Sequence, residues 1–224
     1  MAKRKIAKKT TIVRSHPMHV PVSERNPEGI TIRDRHLRRL KGTYLDLAEI
    51  ETIFKNYNKK GLIFPTAGKL EKNRNADKYD EIIAVWTDYF NRKFNAKPVL
   101  DPDVVKALIE SESDFRMDPP GNKIAIGIAQ ITKQTLKIVQ DPNGETKDFI
   151  FHKIRQKDLK EPAVAIPVAV RWLFRKRATA MAQLNRVPDH EELILEYKGL
   201  LKSKSDYKNA GLKKYREAYA RLKN

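Results

Sequence analysis

Cysteine occurs nowhere in the 224 residues, and its absence removes disulfides, thiol nucleophiles and cysteine-based zinc sites together. It does not fix a compartment, because a chain without thiols survives in either redox environment. There is also no run of about 18 apolar residues, so nothing reads as a membrane-spanning helix. The basic first nine residues lead into Thr10, Thr11, Arg14, Ser15 and His16 rather than an apolar stretch and a small-residue cleavage site, so no secretory signal peptide is readable. Gly61, Gly68 and Gly121 do not form a phosphate-cradling pattern, and Gly-Lys-Ser/Thr is missing, which disfavours nucleotide use. His16 and His19 stand three apart in a proline-containing stretch with only His36 nearby, too little for a metal site. Neither a metal nor a cofactor is expected.

What the chain has in excess is positive charge: 46 Lys and Arg against 28 Asp and Glu, a net +18. The excess is uneven. Residues 1–42 hold 12 basic and 3 acidic side chains and residues 198–224 hold 9 and 2, whereas residues 43–197 are nearly balanced at 25 and 23. A near-neutral body with two basic ends differs from a domain whose fold presents a cationic face to nucleic acid. The run Lys3-Arg4-Lys5 also lacks the interleaved aromatics of a single-strand platform, so nucleic acid is not the expected partner. The ends read as salt-sensitive handles for a polyanion such as an anionic cell envelope, with solvated tails as the alternative.

Hydrophobic periodicity predicts a series of helices. Residues 1–42 mix basic residues with Pro17, Pro21, Pro27 and Gly29 and predict an arm with little regular structure. Helices are expected over 43–60, 77–94, 101–114, 132–139, 161–182, 189–198 and 206–222, the third opened by Asp101 as N-cap with Pro102 behind it. In the second, Tyr79, Ile82, Ile83, Trp86, Tyr89 and Phe90 recur at spacings of three and four and are expected in the core. Few segments alternate with period two, so the fold class is all-α.

The informative stretch is residues 104–115, VVKALIESESDF. Counting from Val105, the inward positions are Leu108, Ile109 and Glu112, which puts a carboxylate on the apolar stripe. Glu110 lies about 200° from Glu112 around the helix and is expected to face water. Glu112 also falls in the last turn, where the helix dipole and partial burial both favour a protonated carboxyl, as a general acid requires.

Here the chain resembles the lytic transglycosylase (SLT) domain of the goose-lysozyme-like superfamily. The resemblance rests on Glu112-Ser113-Asp114-Phe115, on Gly127-Ile128-Ala129-Gln130-Ile131 about fifteen residues later, on Ala165-Ile166 with Trp172-Leu173, and on Tyr197-Lys198-Gly199. It covers roughly residues 99–200. Three departures stand out: alanine and lysine occupy positions 165 and 198, where the family carries asparagine, and tryptophan replaces a tyrosine at 172. The resemblance implies a lysozyme-like catalytic domain over 99–202, a helical N-terminal part at 43–98 packed on it, the arm at 1–42, and a basic C-terminal helix at 203–224.

By the same resemblance, Glu112 is the catalytic acid/base, and Ser113, Gly127, Gln130 and Tyr197 bind substrate. The substrate would be peptidoglycan glycan strands, cut at the β-1,4 bond between N-acetylmuramic acid (MurNAc) and N-acetylglucosamine (GlcNAc). One carboxylate suffices in principle, because MurNAc supplies an acetamido carbonyl and a C6 hydroxyl of its own, whereas ordinary glycosidases need a second acid. The expected product is a 1,6-anhydromuramoyl end. The alternatives are a hydrolytic muramidase and a catalytically silent wall-binding module. Made in the cytoplasm without a readable leader, the protein is expected to reach the periplasm or wall by another route. It would act there as a phage lysis or virion enzyme or a secretion-system effector, with delivery machinery or an immunity protein as further partners.

Overall fold

The computed structural model describes residues 10–34, 36–39, 43–70, 76–120 and 124–224; the basic run at 3–9 and the polar segment 71–75 lie outside the described residues. The chain divides into two compact units, residues 1–42 and 43–224.

The first unit carries more regular structure than expected. Strands β1 (Thr10–Val13) and β4 (His36–Arg39) pair antiparallel, as do β2 (His16–His19) and β3 (Ile30–Arg33). Four-residue strands are too short to produce a periodic signal, and the prolines between them hide β-branched pieces such as Ile30-Thr31-Ile32. Gly29 closes the inner ladder at φ 63°, where a Cβ would meet the Val20 carbonyl at 2.9 Å.

The second unit is helical. After β5 (Thr43–Tyr44) come α1 (Leu47–Asn56), α2 (Asp80–Phe94), α3 (Pro102–Ser113), β6 (Ala125–Ile126), β7 (Ile131–Thr132), α4 (Lys133–Gln140), β8 (Phe149–Ile150), α5 (Pro162–Leu184), α6 (His190–Tyr197) and α7 (Ser205–Lys223). Its strands have two residues each: β5 pairs parallel with β8, and β6 pairs antiparallel with β7. This is an all-α class, as the periodicity predicts. The first helix starts later than the periodicity predicts because Asp46 accepts a hydrogen bond from the Glu49 amide at 3.0 Å, which leaves Thr43 and Tyr44 free to pair with β8.

The core collects on α2, α3 and α5. Trp86 and Phe90 are fully buried, and Phe90 meets Phe149 edge to face at 5.6 Å. Helix α3 is buried on every side, since α2 covers one flank and α7 the other. Leu212, Tyr215, Ala218 and Leu222 give α7 an apolar stripe, so this basic helix belongs to the body of the second unit.

Candidate active site

Helix α3 is fixed at both ends and along both flanks before it delivers Glu112. Asp101 caps it by accepting from the Asp103 amide at 2.9 Å, with Pro102 in the first turn. The Lys106 ammonium, with no exposed surface, pairs with Asp77 at 2.6 Å and Asp80 at 2.7 Å and donates to the Thr66 carbonyl. On the other flank Lys223 of α7 donates to Asp101 and Asp103, both at 2.7 Å. The helix stops abruptly: Asp114 and Phe115 both adopt left-handed backbone, at φ 51° and 59°, and the Phe115 ring then stacks on Tyr79 with centroids 5.7 Å apart. Glu112, in the last turn, keeps 18% of its side-chain surface accessible on a helix that is otherwise almost wholly buried.

Beside that helix end lies the β6–β7 hairpin, whose turn is residues 127–130. Gly127 has φ 71°, and a Cβ on it would lie 2.0 Å from the Leu159 carbonyl oxygen and 3.6 Å from the Ala165 methyl, so only glycine fits. Three side chains hold the turn. Ser113 Oγ donates to the Ile128 carbonyl at 2.6 Å, Gln130 Nε2 to the Gly127 carbonyl at 2.8 Å, and the Tyr197 hydroxyl to the Ala129 carbonyl at 3.0 Å. Burial, and then the charge of Glu112, push the Tyr197 phenol far up, which keeps it a protonated donor.

Glu112, Ser113, Gly127, Gln130 and Tyr197 therefore gather round one turn, although they span 86 positions of sequence. Ser113 is buried and donates to main-chain carbonyls, tying the turn to α3. One expectation needs correction. Glu110 does not face water: only 5% of it is exposed, and Arg221 of α7 reaches its Oε1 at 3.3 Å. A single apolar stripe implies a helix covered on one face, whereas α7 covers the other face of α3.

One functional neighbour was missed. Lys198 Nζ, just beyond α6, donates to Glu112 Oε1 at 2.6 Å, with both side chains mostly buried. Its signal was the lysine in the Tyr197-Lys198-Gly199 motif, which reads as a lost asparagine and equally as a gained cation. The other acids near the motifs are engaged elsewhere. Glu196 takes a hydrogen bond from Lys176 at 3.0 Å, Asp118 faces Lys160 at 3.6 Å, and Asp141 accepts from the Asn143 amide at 2.8 Å. The assembled group thus has one carboxylate at a helix end, one cation on it, and amide and phenol groups along the adjoining turn.

Searches of curated proteins and of solved structures return no match. The family model for the transglycosylase SLT domain matches residues 89–215, more than half of the chain and the whole of the arrangement around Glu112. The chain belongs to the transglycosylase SLT domain family, and its function is of the peptidoglycan lytic transglycosylase type.

Proposed function

We propose that the protein cuts the β-1,4 bond between MurNAc and GlcNAc with Glu112 as its single acid/base and releases 1,6-anhydromuramoyl ends. In this reading the Glu112 carboxyl gives its proton to the glycosidic oxygen as the C1–O bond breaks. The acetamido carbonyl of the same sugar stabilises the positive charge at C1. The carboxylate then takes the proton of the C6 hydroxyl as that oxygen bonds to C1, and Glu112 is left protonated for the next cycle. No water is consumed.

The observation that carries this reading is the partly accessible position of Glu112 at the end of a buried helix, beside a turn held by Gln130 and Tyr197. The acids nearest the motifs in sequence, Glu196, Asp118 and Asp141, each hold another partner, which favours the substrate's own hydroxyl over an activated water. The substrate's own hydroxyl is already bound and needs no capture from solvent. Lys198 orients the Glu112 side chain and compensates the carboxylate that forms once the glycosidic oxygen has taken the proton. Ser113 and Gly127 shape the turn, while Gln130 and Tyr197 position the backbone that lines the sugar.

Mass spectrometry of muropeptides after digestion of purified walls tests the proposal. The expected products end in 1,6-anhydro-MurNAc, lighter by one water than lysozyme products. A digest dominated by reducing-end MurNAc would overturn it in favour of hydrolysis.

A further inference from the structure

A second feature of the helical unit lies apart from the group around Glu112, and none of the residues gathered there lines it. Between the C-terminal end of α2 and the second half of α5 is a cavity of about 450 Å³, within the size range of small-molecule sites. Phe94, Phe174 and Met181 make it apolar, Arg171, Arg175 and Arg177 bring three cations to its wall, and Glu145 and Asp148 bring two carboxylates, which leaves the wall with an excess of positive charge.

The three arginines differ in how they are partnered. Arg175 is paired with Glu145 at 2.6 Å. Among the described residues Arg171 has no hydrogen-bonded or ion-pair partner, although only 3% of it is exposed. Its guanidinium carbon lies 4.9 Å from the centroid of the Phe94 ring, its Nε has no hydrogen-bond partner, and Asp148 acts on it only through space. Burial lowers this guanidinium to about 10. Arg177 likewise shows a fall caused by burial alone, with no carboxylate to oppose it.

A buried guanidinium without an acceptor is costly, and an apolar side chain of similar length would fill the same space without that cost. A ligand with an oxyanion resolves the conflict, because the fork of N–H donors matches a carboxylate or phosphate in a way no point charge does. We propose that this cavity binds a small organic anion, with its carboxylate or phosphate head on Arg171 and Arg177 and its apolar body on Phe94, Phe174 and Met181.

Titration calorimetry of the full chain with hexanoate and with hexyl phosphate tests this, with hexylamine as the control of opposite charge. The expected result is saturable binding of at least one anion and none of the amine, and the tighter of the two anions identifies the head group. Arg171→Met should weaken binding at least about tenfold without lowering the unliganded melting temperature, since methionine keeps a packed side chain against Phe94 and removes a buried cation with no hydrogen-bonded acceptor. Arg177→Met should weaken binding too and serves as the measured variant if Arg171→Met does not fold. Muropeptide release by either variant should match wild type, which separates this site from Glu112. Failure of both anions to bind, or unchanged binding in both folded variants, would overturn the proposal.

Discussion

Lys198 Nζ donates a 2.6 Å hydrogen bond to Glu112 Oε1, joining the end of α6 to the last turn of α3. This ion pair holds the Glu112 side chain in one orientation. Lys198→Met leaves that orientation unset and is expected to lower turnover by about tenfold or more without unfolding the chain, because a misplaced acid loses rate even where binding is kept. Muropeptide release and thermal melts of the variant check this, and wild-type turnover would count against a positioning role for the lysine.

Glu112→Gln should retain the fold and glycan binding and lose turnover by at least about 100-fold, the scale of general acid catalysis. Glu110→Gln should instead leave turnover near wild type and alter thermal stability, because Glu110 is buried against Arg221. Circular dichroism melts and turnover measured on both variants separate the two glutamates. Equal losses of turnover would show the assignment to be wrong.

These two residues also mark what the sequence can and cannot convey. The position of Glu112 was legible because the stripe of Val105, Leu108 and Ile109 passes through it, and the helix end was legible from the run of polar residues after Ile109. The burial of Glu110 was not, because it depends on α7, more than 100 residues later, whose apolar stripe is diluted by lysine and arginine. The hairpin turn at 127–130 follows the same logic. Gly127 stands out in the motif, but the Leu159 carbonyl that forbids any side chain there comes from a distant segment. The arm strands were lost for a different reason, since four residues cannot establish a period.

Lys106 offers a stability test with a sign. Burial pushes the Asp80 carboxyl up to about 6 despite its pairing with Lys106. The folded chain thus holds this proton to higher pH than an unfolded aspartate, which releases it near about 3.9, so the Asp80 contribution to stability grows as the pH falls between those values. Lys106→Met strands Asp77 and Asp80 and should cost about 3–5 kcal/mol at neutral pH. The cost should shrink near pH 5, where Asp80 is already neutral. Urea denaturation of both proteins at the two pH values checks it, and a pH-independent difference would refute it.

Deleting residues 1–42 removes 12 basic and 3 acidic side chains and spares the helical unit, which has its own core. The shortened protein should sediment less with purified walls and show a flatter salt dependence, while small soluble glycan fragments are still cut. An unchanged salt profile would place the wall contact elsewhere.

The ion pairs and the ring stack around α3 bear on how this enzyme can be cut or recombined. The recognisable family segment, 89–215, begins after Asp77, Tyr79 and Asp80 and stops before Arg221 and Lys223. A fragment made to those limits would carry Lys106 and Glu110 into the interior with their counter-charges removed, and Phe115 without the ring that braces the turn after the acid. The portion that homology detects is thus smaller than the portion that must fold together, and a graft into another scaffold has to bring both flanking helices with it.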